Sequence, residues 1–394
     1  MQKVYGGGIY GQGVHGRVID ISSKDPKDRD TFDAYLQGRT DGGTPLVLYA
    51  IKPDATGYDI ISVEPKSQLD RAVRSAVKAA SGEFVIKMFV GSDGMKSIST
   101  KDAFDAELAT NLRIIDSFGK DAVGRLTTVR GLAIAGIEDV YGIMIEGDEA
   151  MFFTLSDRCS ESLDTYKFES YASVCDMVTQ TLEGFEHLAR SGMLHADVKE
   201  GNIVACSQQK KKKQKQKKGG VVSFKLIDWG MTATFDEIRV MYANTQNPRN
   251  CASPMAWYAW GISEEHPDSV AAYTIHKIMH AKIVRRASVF TNPEFRKLTD
   301  GAFESFTSKM RRLYSKNNGI DVAVRRAVIR DYVASFDLYN FGLVIASTAL
   351  SVQSLTVDQR QILMDLAVRL THYNHPEFVG NDASEAAAMF SAIK

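Results

Sequence analysis

The chain has 394 residues, with 48 basic side chains, 48 acidic side chains and 44% hydrophobic residues. That length suits one large two-lobed enzyme or two domains, and the apolar content excludes a disordered or collagen-like chain. The net charge of zero argues against a generally basic nucleic-acid binder.

The first 147 residues are predicted to be rich in β-strand. Apolar and β-branched runs predict strands at residues 4–9, 14–22, 44–52, 58–63 and 83–90. Helical spacing of apolar residues predicts helices at 66–80 and 101–118, and two further strands follow at 125–133 and 139–146.

The chain from residue 148 onward is predicted to be mainly helical. Apolar residues share one face of a helix at residues 171–190. Residues 210–218 contain seven lysines and predict a solvated loop, because so many like charges cannot be buried together. Residues 261–330 form a charged helical stretch without a recognisable motif.

Targeting and redox features indicate an intracellular protein. The first 20 residues include His15 and Arg17 and do not resemble a signal peptide. The longest nearly apolar run, residues 341–352, is too short to span a bilayer, so we expect no membrane partner. The cysteines at positions 159, 175, 206 and 251 have no CxxC spacing and indicate ordinary thiols.

The most informative segment is LHADVKEGNIV at residues 194–204. It places Asp197, Lys199 and Asn202 at i, i+2 and i+5, directly after an amphipathic helix. Phosphoryl transfer uses such a set, because a carboxylate orients the acceptor hydroxyl, a cation offsets phosphoryl charge and an amide oxygen helps to bind a metal. The alternative is a surface loop whose charges coincide by chance.

Two further segments fit the same chemistry. KLIDWG at residues 225–230 ends an apolar strand with Asp228, where a carboxylate is well placed to bind Mg²⁺ on nucleotide phosphates. Residues 11–18 satisfy the pattern G-x-G-x-x-G-x-V through Gly11, Gly13, Gly16 and Val18. Glycines allow the backbone to approach phosphates closely, although a glycine-rich turn without function remains the alternative.

Together these three segments resemble the glycine-rich loop, catalytic loop and metal-binding turn of eukaryotic-type protein kinases. The resemblance implies an α+β, two-lobed fold, with the small lobe at residues 1–147 and the large lobe at 148–394. Insertions would then occupy about 23–82 and about 261–330. It also implies a role for each motif residue: Gly11, Gly13, Gly16 and Val18 cover ATP, Asp197 is the catalytic base, Lys199 contacts phosphate, and Asn202 and Asp228 bind Mg²⁺.

Two lysines compete for the position that pairs with the α- and β-phosphates of ATP. Ala50-Ile51-Lys52 is close to the V-A-I-K motif of the family, but the helix predicted after it contains no glutamate. Lys87 also ends a predicted strand, and Glu107 follows 20 residues later in the next helix, as the family resemblance requires. We therefore choose Lys87 and Glu107, with Lys52 as the alternative.

The large lobe adds one further match and two departures from the family pattern. Residues 337–342, DLYNFG, resemble the start of the central helix of the large lobe, where Asp337 would brace the catalytic loop. A plain helix N-cap is the other interpretation of Asp337. Ala196 replaces the arginine that senses activation-loop phosphate, and Met255 replaces the glutamate of a large-lobe ion pair.

The resemblance implies an ATP- and Mg²⁺-dependent kinase that phosphorylates serine or threonine hydroxyls of a protein substrate. Lys199 favours these acceptors over tyrosine. The alternatives are a small-molecule kinase of the aminoglycoside or choline type and a pseudokinase scaffold. The Lys-rich loop at 210–218 is a candidate site for an acidic partner. The divergent motifs and large insertions resemble kinases of large DNA viruses, which would place the protein in the cytoplasm, the nucleus or a virion.

Overall fold

The computed structural model divides the chain into two compact units, Met1–Cys159 and Ser160–Lys394. The residues that the structure describes are 9–12, 16–19, 47–54, 57–62, 84–89, 100–134, 137–146, 151–207, 222–234, 237, 283–315 and 334–394. The helix expected at 66–80, Gly13, the Lys-rich loop at 210–218 and Met255 lie outside these residues.

The first unit is built on a seven-stranded antiparallel sheet. Its elements, in chain order, are β1 (Ile9–Gln12), β2 (Gly16–Ile19), β3 (Val47–Asp54), β4 (Gly57–Ser62), β5 (Phe84–Phe89), α1 (Thr100–Leu126), β6 (Leu132–Ile134), β7 (Ile137–Val140), β8 (Gly142–Glu146) and β9 (Met151–Asp157). The strand order is β1-β2-β5-β9-β8-β3-β4, and β6 pairs separately with β7. Because β9 pairs with both β5 and β8, it belongs to the first unit, which extends to residue 159 rather than to 147.

Helix α1 differs from its predicted bounds. The chain kinks at Gly119, with φ of 71°, and then continues as helix to Leu126. Glycine adopts this positive φ without steric penalty, so the kink falls one residue after the predicted helix end at 118. The strand predicted at 125–133 is therefore wrong over its first residues, and strand structure begins at Leu132.

The second unit combines short strands with six helices among its described residues. Its elements are β10 (Glu161–Ser162), α2 (Tyr171–Arg190), β11 (Met193–Leu194), β12 (Ile203–Ser207), β13 (Val222–Leu226), β14 (Ala233–Thr234), α3 (Ala287–Phe290), α4 (Pro293–Ser315), α5 (Phe336–Ser351), α6 (Val357–Thr371) and α7 (Ala383–Ile393). Helix α2 has its predicted bounds, and the hydroxyl of Ser170 caps it by accepting a hydrogen bond from Ser173 N at 3.3 Å. The α+β class is thus confirmed.

Helix α5 lies at the centre of the second unit, since every residue from Phe336 to Ala349 is buried. Gly342 permits α6 to pack closely against it. A Cβ at this position would lie 2.7 Å from Thr371 Cγ2 and 3.1 Å from Leu370 Cβ, which is too close for a methyl group. Among the described helices, none has the length and apolarity that a membrane span requires.

The cysteines differ from the sequence expectation. Cys159 and Cys206 are disulfide-bonded, whereas Cys175 is a free thiol and Cys251 lies outside the described residues. Glu161 pairs with Ala205 in the β10–β12 ladder, so segments that are distant in sequence run side by side. Spacing along the chain gave no signal of this pairing between strands β10 and β12.

Candidate functional site

In the first unit, the glycine-rich segment forms a hairpin beside the strand that carries Lys87. Gly11 lies opposite Val18 in the β1–β2 ladder, and Gly16 begins β2. Val18 in turn lies opposite Lys87 in the β2–β5 ladder. The structure therefore brings the described part of the glycine motif next to the strand of Lys87.

Lys87 forms an ion pair with Glu107 of α1. Its Nζ contacts Glu107 Oε2, and the two side chains are 20% and 15% exposed. Thr154, which lies opposite Lys87 in β9, donates a hydrogen bond from Oγ1 to Glu107 Oε1 at 3.4 Å. Both carboxylate oxygens are thus engaged, which fixes the glutamate beside the lysine.

Lys52 occupies a different part of the sheet. It lies in β3, where it is paired in register with Asp59 of β4. Three strands, β5, β9 and β8, separate β3 from the glycine hairpin. The sheet order therefore associates Lys87, rather than Lys52, with the glycine-rich segment.

In the second unit, strand pairing brings the two remaining motifs together. The loop at residues 195–202 connects β11 to β12, and the turn at 227–232 connects β13 to β14. Since β12 pairs with β13 and β11 pairs with β14, the loop and the turn are adjacent. Asn202 O accepts a hydrogen bond from Ile227 N at 3.0 Å, immediately before Asp228.

The loop groups the side chains of Asp197, Lys199 and Asn202. Lys199 Nζ donates to Asp197 Oδ2. Asn202 Nδ2 donates to the same oxygen at 2.9 Å and to the backbone oxygen of Asp197 at 2.8 Å. Within the described ranges Asp197 Oδ1 accepts no hydrogen bond. One ammonium donor and one amide donor thus hold Oδ2 of Asp197, whereas Oδ1 has no hydrogen-bond donor among the described residues.

Asp337 braces the start of this loop. Its Oδ2 accepts a hydrogen bond from His195 N at 2.6 Å, and its Oδ1 accepts one from Ala196 N at 2.9 Å. Burial raises the pKa of the Asp337 carboxyl, and His195 together with the two N–H donors opposes this rise. The N-cap interpretation is wrong, because Ser335 occupies the N-cap position of α5 and Asp337 lies in the first turn.

His195 connects the loop to the turn at residues 227–232, which contains Asp228. Its Nδ1 accepts a hydrogen bond from Asp197 N at 3.3 Å, and its Nε2 lies 2.9 Å from Ile227 O. A carbonyl can only accept, so Nε2 carries the proton. The imidazole ring also packs against Trp229, with ring centroids 4.7 Å apart.

Asn202 and Asp228 offer oxygen ligands that fit Mg²⁺. Because Asn202 Nδ2 donates to Asp197, its Oδ1 remains available for a metal. Asp228 is exposed, adopts a left-handed φ of 64° and makes no ion pair with any described residue. The described residues contain no group of three or more His, Cys, Asp or Glu side chains that could bind a metal. Mg²⁺ does not need one, since it commonly binds one or two protein ligands plus phosphates and water.

Comparison of the chain with protein-family profiles and with curated proteins finds no match. The sequence did not indicate a role for Thr154 or Glu200. It also did not indicate that His195 connects the loop of Asp197 to the turn of Asp228. The signals for Thr154 and Glu200 are contacts to residues distant in sequence, which no local pattern shows.

Proposed function

We propose that this chain is an ATP-dependent protein kinase that transfers the γ-phosphoryl group to serine or threonine hydroxyls of proteins. The observation that carries the proposal is the set of contacts made by the Asp197 carboxylate. Lys199 and Asn202 hold one of its carboxylate oxygens, and the loop that contains it is braced by Asp337. The other oxygen is open to a hydroxyl.

The residues have complementary parts in this reaction. Asp197 Oδ1 accepts the proton of the attacking hydroxyl, and Lys199 offsets the charge that develops on the transferring group. Lys87, held by Glu107, would bind the α- and β-phosphates. Asn202 and Asp228 would hold Mg²⁺, which neutralises phosphate charge when it is bound. Most of the rate enhancement then comes from positioning and electrostatics.

One observation favours a second candidate, a small-molecule kinase of the aminoglycoside or choline type. Ala196 occupies the position where protein kinases carry an arginine, and small-molecule relatives often lack that arginine. Lys199, however, is usually absent from those relatives, and here it contacts Asp197 directly.

Because the proposed reaction needs ATP, the proposed site of action is inside the cell.

The decisive experiment offers the purified chain radiolabelled ATP with Mg²⁺ and either mixed proteins or mixed metabolites. Label in proteins, lost in Asp197→Asn, supports the proposal. Label found only in metabolites would favour the small-molecule kinase. Binding of Mg-ATP without any transfer would favour the pseudokinase scaffold.

A further inference from the structure

Glu200 is a carboxylate buried inside the second unit, in the same loop as Asp197 and Asn202. Its side chain is 0% exposed. Glu200 Oε1 accepts a hydrogen bond from Ser347 Oγ of α5 at 2.6 Å, and Oε2 accepts one from Arg285 N at 2.9 Å. A buried carboxylate is strongly unfavourable unless such partners are present, so these hydrogen bonds offset the cost of burying Glu200.

Arg286 completes the surroundings of this carboxylate. Its Nε lies 3.7 Å from Glu200 Oε1, and its other guanidinium nitrogens donate to Leu163 O and Ser351 Oγ. Leu163 N donates to the backbone oxygen of Glu200 at 3.1 Å. The arginine therefore holds Glu200 directly through its side chain and indirectly through Leu163. Burial raises the pKa of Glu200, and Arg286, Ser347 and Arg285 N oppose that rise.

Helix α5 thereby anchors both ends of the loop. Asp337 in its first turn binds the backbone of His195 and Ala196, at the start of the loop. Ser347 binds Glu200, near the end of the loop. The two helix positions are ten residues apart, which corresponds to about 15 Å along an α-helix. Lys199 directly precedes Glu200 in the chain, and Asn202 follows it by two residues. Both donors to Asp197 are therefore close to the point where Ser347 binds the loop.

We propose that Glu200 is a positioning residue, which fixes the second half of the loop on α5 through Ser347 and Arg286 so that Lys199 and Asn202 keep their contacts with Asp197. Its effect on rate rests on the proposed kinase function. Its effect on loop order does not.

Ser347→Ala tests this directly, because it removes the hydrogen bond to Glu200 without adding bulk. Ser305→Ala is the matched control, since Ser305 is also buried and its hydroxyl accepts a hydrogen bond from Asn374 N at 2.7 Å, outside the loop. Small displacements of a reacting group can lower the rate by about 100-fold. We expect Ser347→Ala to lower kcat by about 10- to 100-fold with KM for ATP within about twofold. Ser305→Ala should leave kcat unchanged while it lowers the urea midpoint similarly.

Amide hydrogen exchange of residues 195–202 supplies a readout that is independent of activity. Exchange should accelerate in Ser347→Ala and not in Ser305→Ala. Arg286→Lys, which keeps a positive charge, provides a second variant and should also accelerate exchange. Glu200→Gln, which keeps an oxygen acceptor for Ser347, should retain more activity than Glu200→Ala.

The outcomes separate the two proposals. Equal kcat and equal exchange in Ser347→Ala and Ser305→Ala, in a protein that transfers phosphate, would overturn the positioning role. A wild-type protein that transfers no phosphate, yet shows the expected difference in exchange, would overturn the kinase function and leave the anchoring role supported.

Discussion

Asp337 accepts a hydrogen bond from the backbone N–H of Ala196 at 2.9 Å, and Ala196 has a left-handed φ of 60°. The left-handed region costs a non-glycine residue about 1–2 kcal/mol. Such strain persists only where surrounding contacts impose it. The carboxylate of Asp337, which binds the backbone N–H groups of both His195 and Ala196, is a contact that holds this conformation.

Asp337→Asn should therefore destabilise the second unit. An asparagine offers one acceptor oxygen, so one of the two buried N–H groups loses its partner, which costs about 1–3 kcal/mol. The free energy of unfolding in urea measures this loss. Asp358→Asn, at an exposed position in the first turn of α6, is the control and should change stability by less than about 0.5 kcal/mol. Equal effects of the two substitutions would contradict the bracing role.

Ala196 itself gives a test of the strained backbone. Ala196→Gly should be close to neutral, because relief of the positive φ offsets the greater flexibility of glycine in the unfolded chain. Ala196→Val should be much less stable, since a β-branched side chain is poorly tolerated at this φ and the position is buried. In thermal denaturation, the melting temperature of Ala196→Val should be well below that of Ala196→Gly. The opposite order would show that the loop does not hold this conformation.

Replacement of Lys87 and replacement of Lys52 should have different effects on the affinity for Mg-ATP. Lys87→Met should weaken Mg-ATP binding by at least about tenfold, because it removes a charge-assisted contact to phosphate. Lys52→Met removes the same charge from a strand three positions away in the sheet and should leave the affinity unchanged. Isothermal titration calorimetry of the two variants measures the difference. A loss confined to Lys52→Met would reassign the phosphate lysine.

His372 should make the second unit sensitive to acid. Burial lowers the pKa of its imidazole, and the neighbouring charge of His375 lowers it further. The unfolded chain therefore binds more protons than the folded chain between the two pKa values. Stability is complete above the unfolded value of about 6.5 and falls as the pH drops through the lower, folded value.

His372→Gln removes this titration, so the unfolding free energy of the variant should decline less steeply than that of the wild type from pH 7 to pH 5. His375→Gln removes the smaller cause alone and should alter the slope less. Urea titrations at each pH measure these slopes. If the unfolding free energies of wild type and His372→Gln changed equally with pH, His372 would not be the source of the acid sensitivity.

Local patterns in the sequence predicted the elements that depend on neighbouring residues. Helix α2 has its expected bounds because apolar periodicity and the cap at Ser170 act within a few positions. The pairing of Lys87 with Glu107 was predicted through the family resemblance, which implies a lysine on a strand and a glutamate about 20 residues later in the next helix. The bracing of the loop by Asp337, 142 positions from His195, was likewise expected only through the family resemblance. By contrast, the contact of Ser347 with Glu200, 147 positions apart, was not expected at all. Such contacts depend on the packing of the whole unit. The contacts of Glu200 with Ser347 and Arg286 therefore could not be predicted from a local pattern in the sequence.

The most direct test of the proposed kinase is the time course of phosphoryl transfer from labelled ATP to protein, compared between wild type and Asp228→Asn with and without Mg²⁺. Asp228 is exposed and makes no ion pair with the described residues, so its replacement should leave the fold intact. We predict that transfer by the wild type requires Mg²⁺ and that Asp228→Asn abolishes it while thermal stability stays unchanged. Undiminished transfer by a folded Asp228→Asn protein, or transfer by neither protein, would contradict the account.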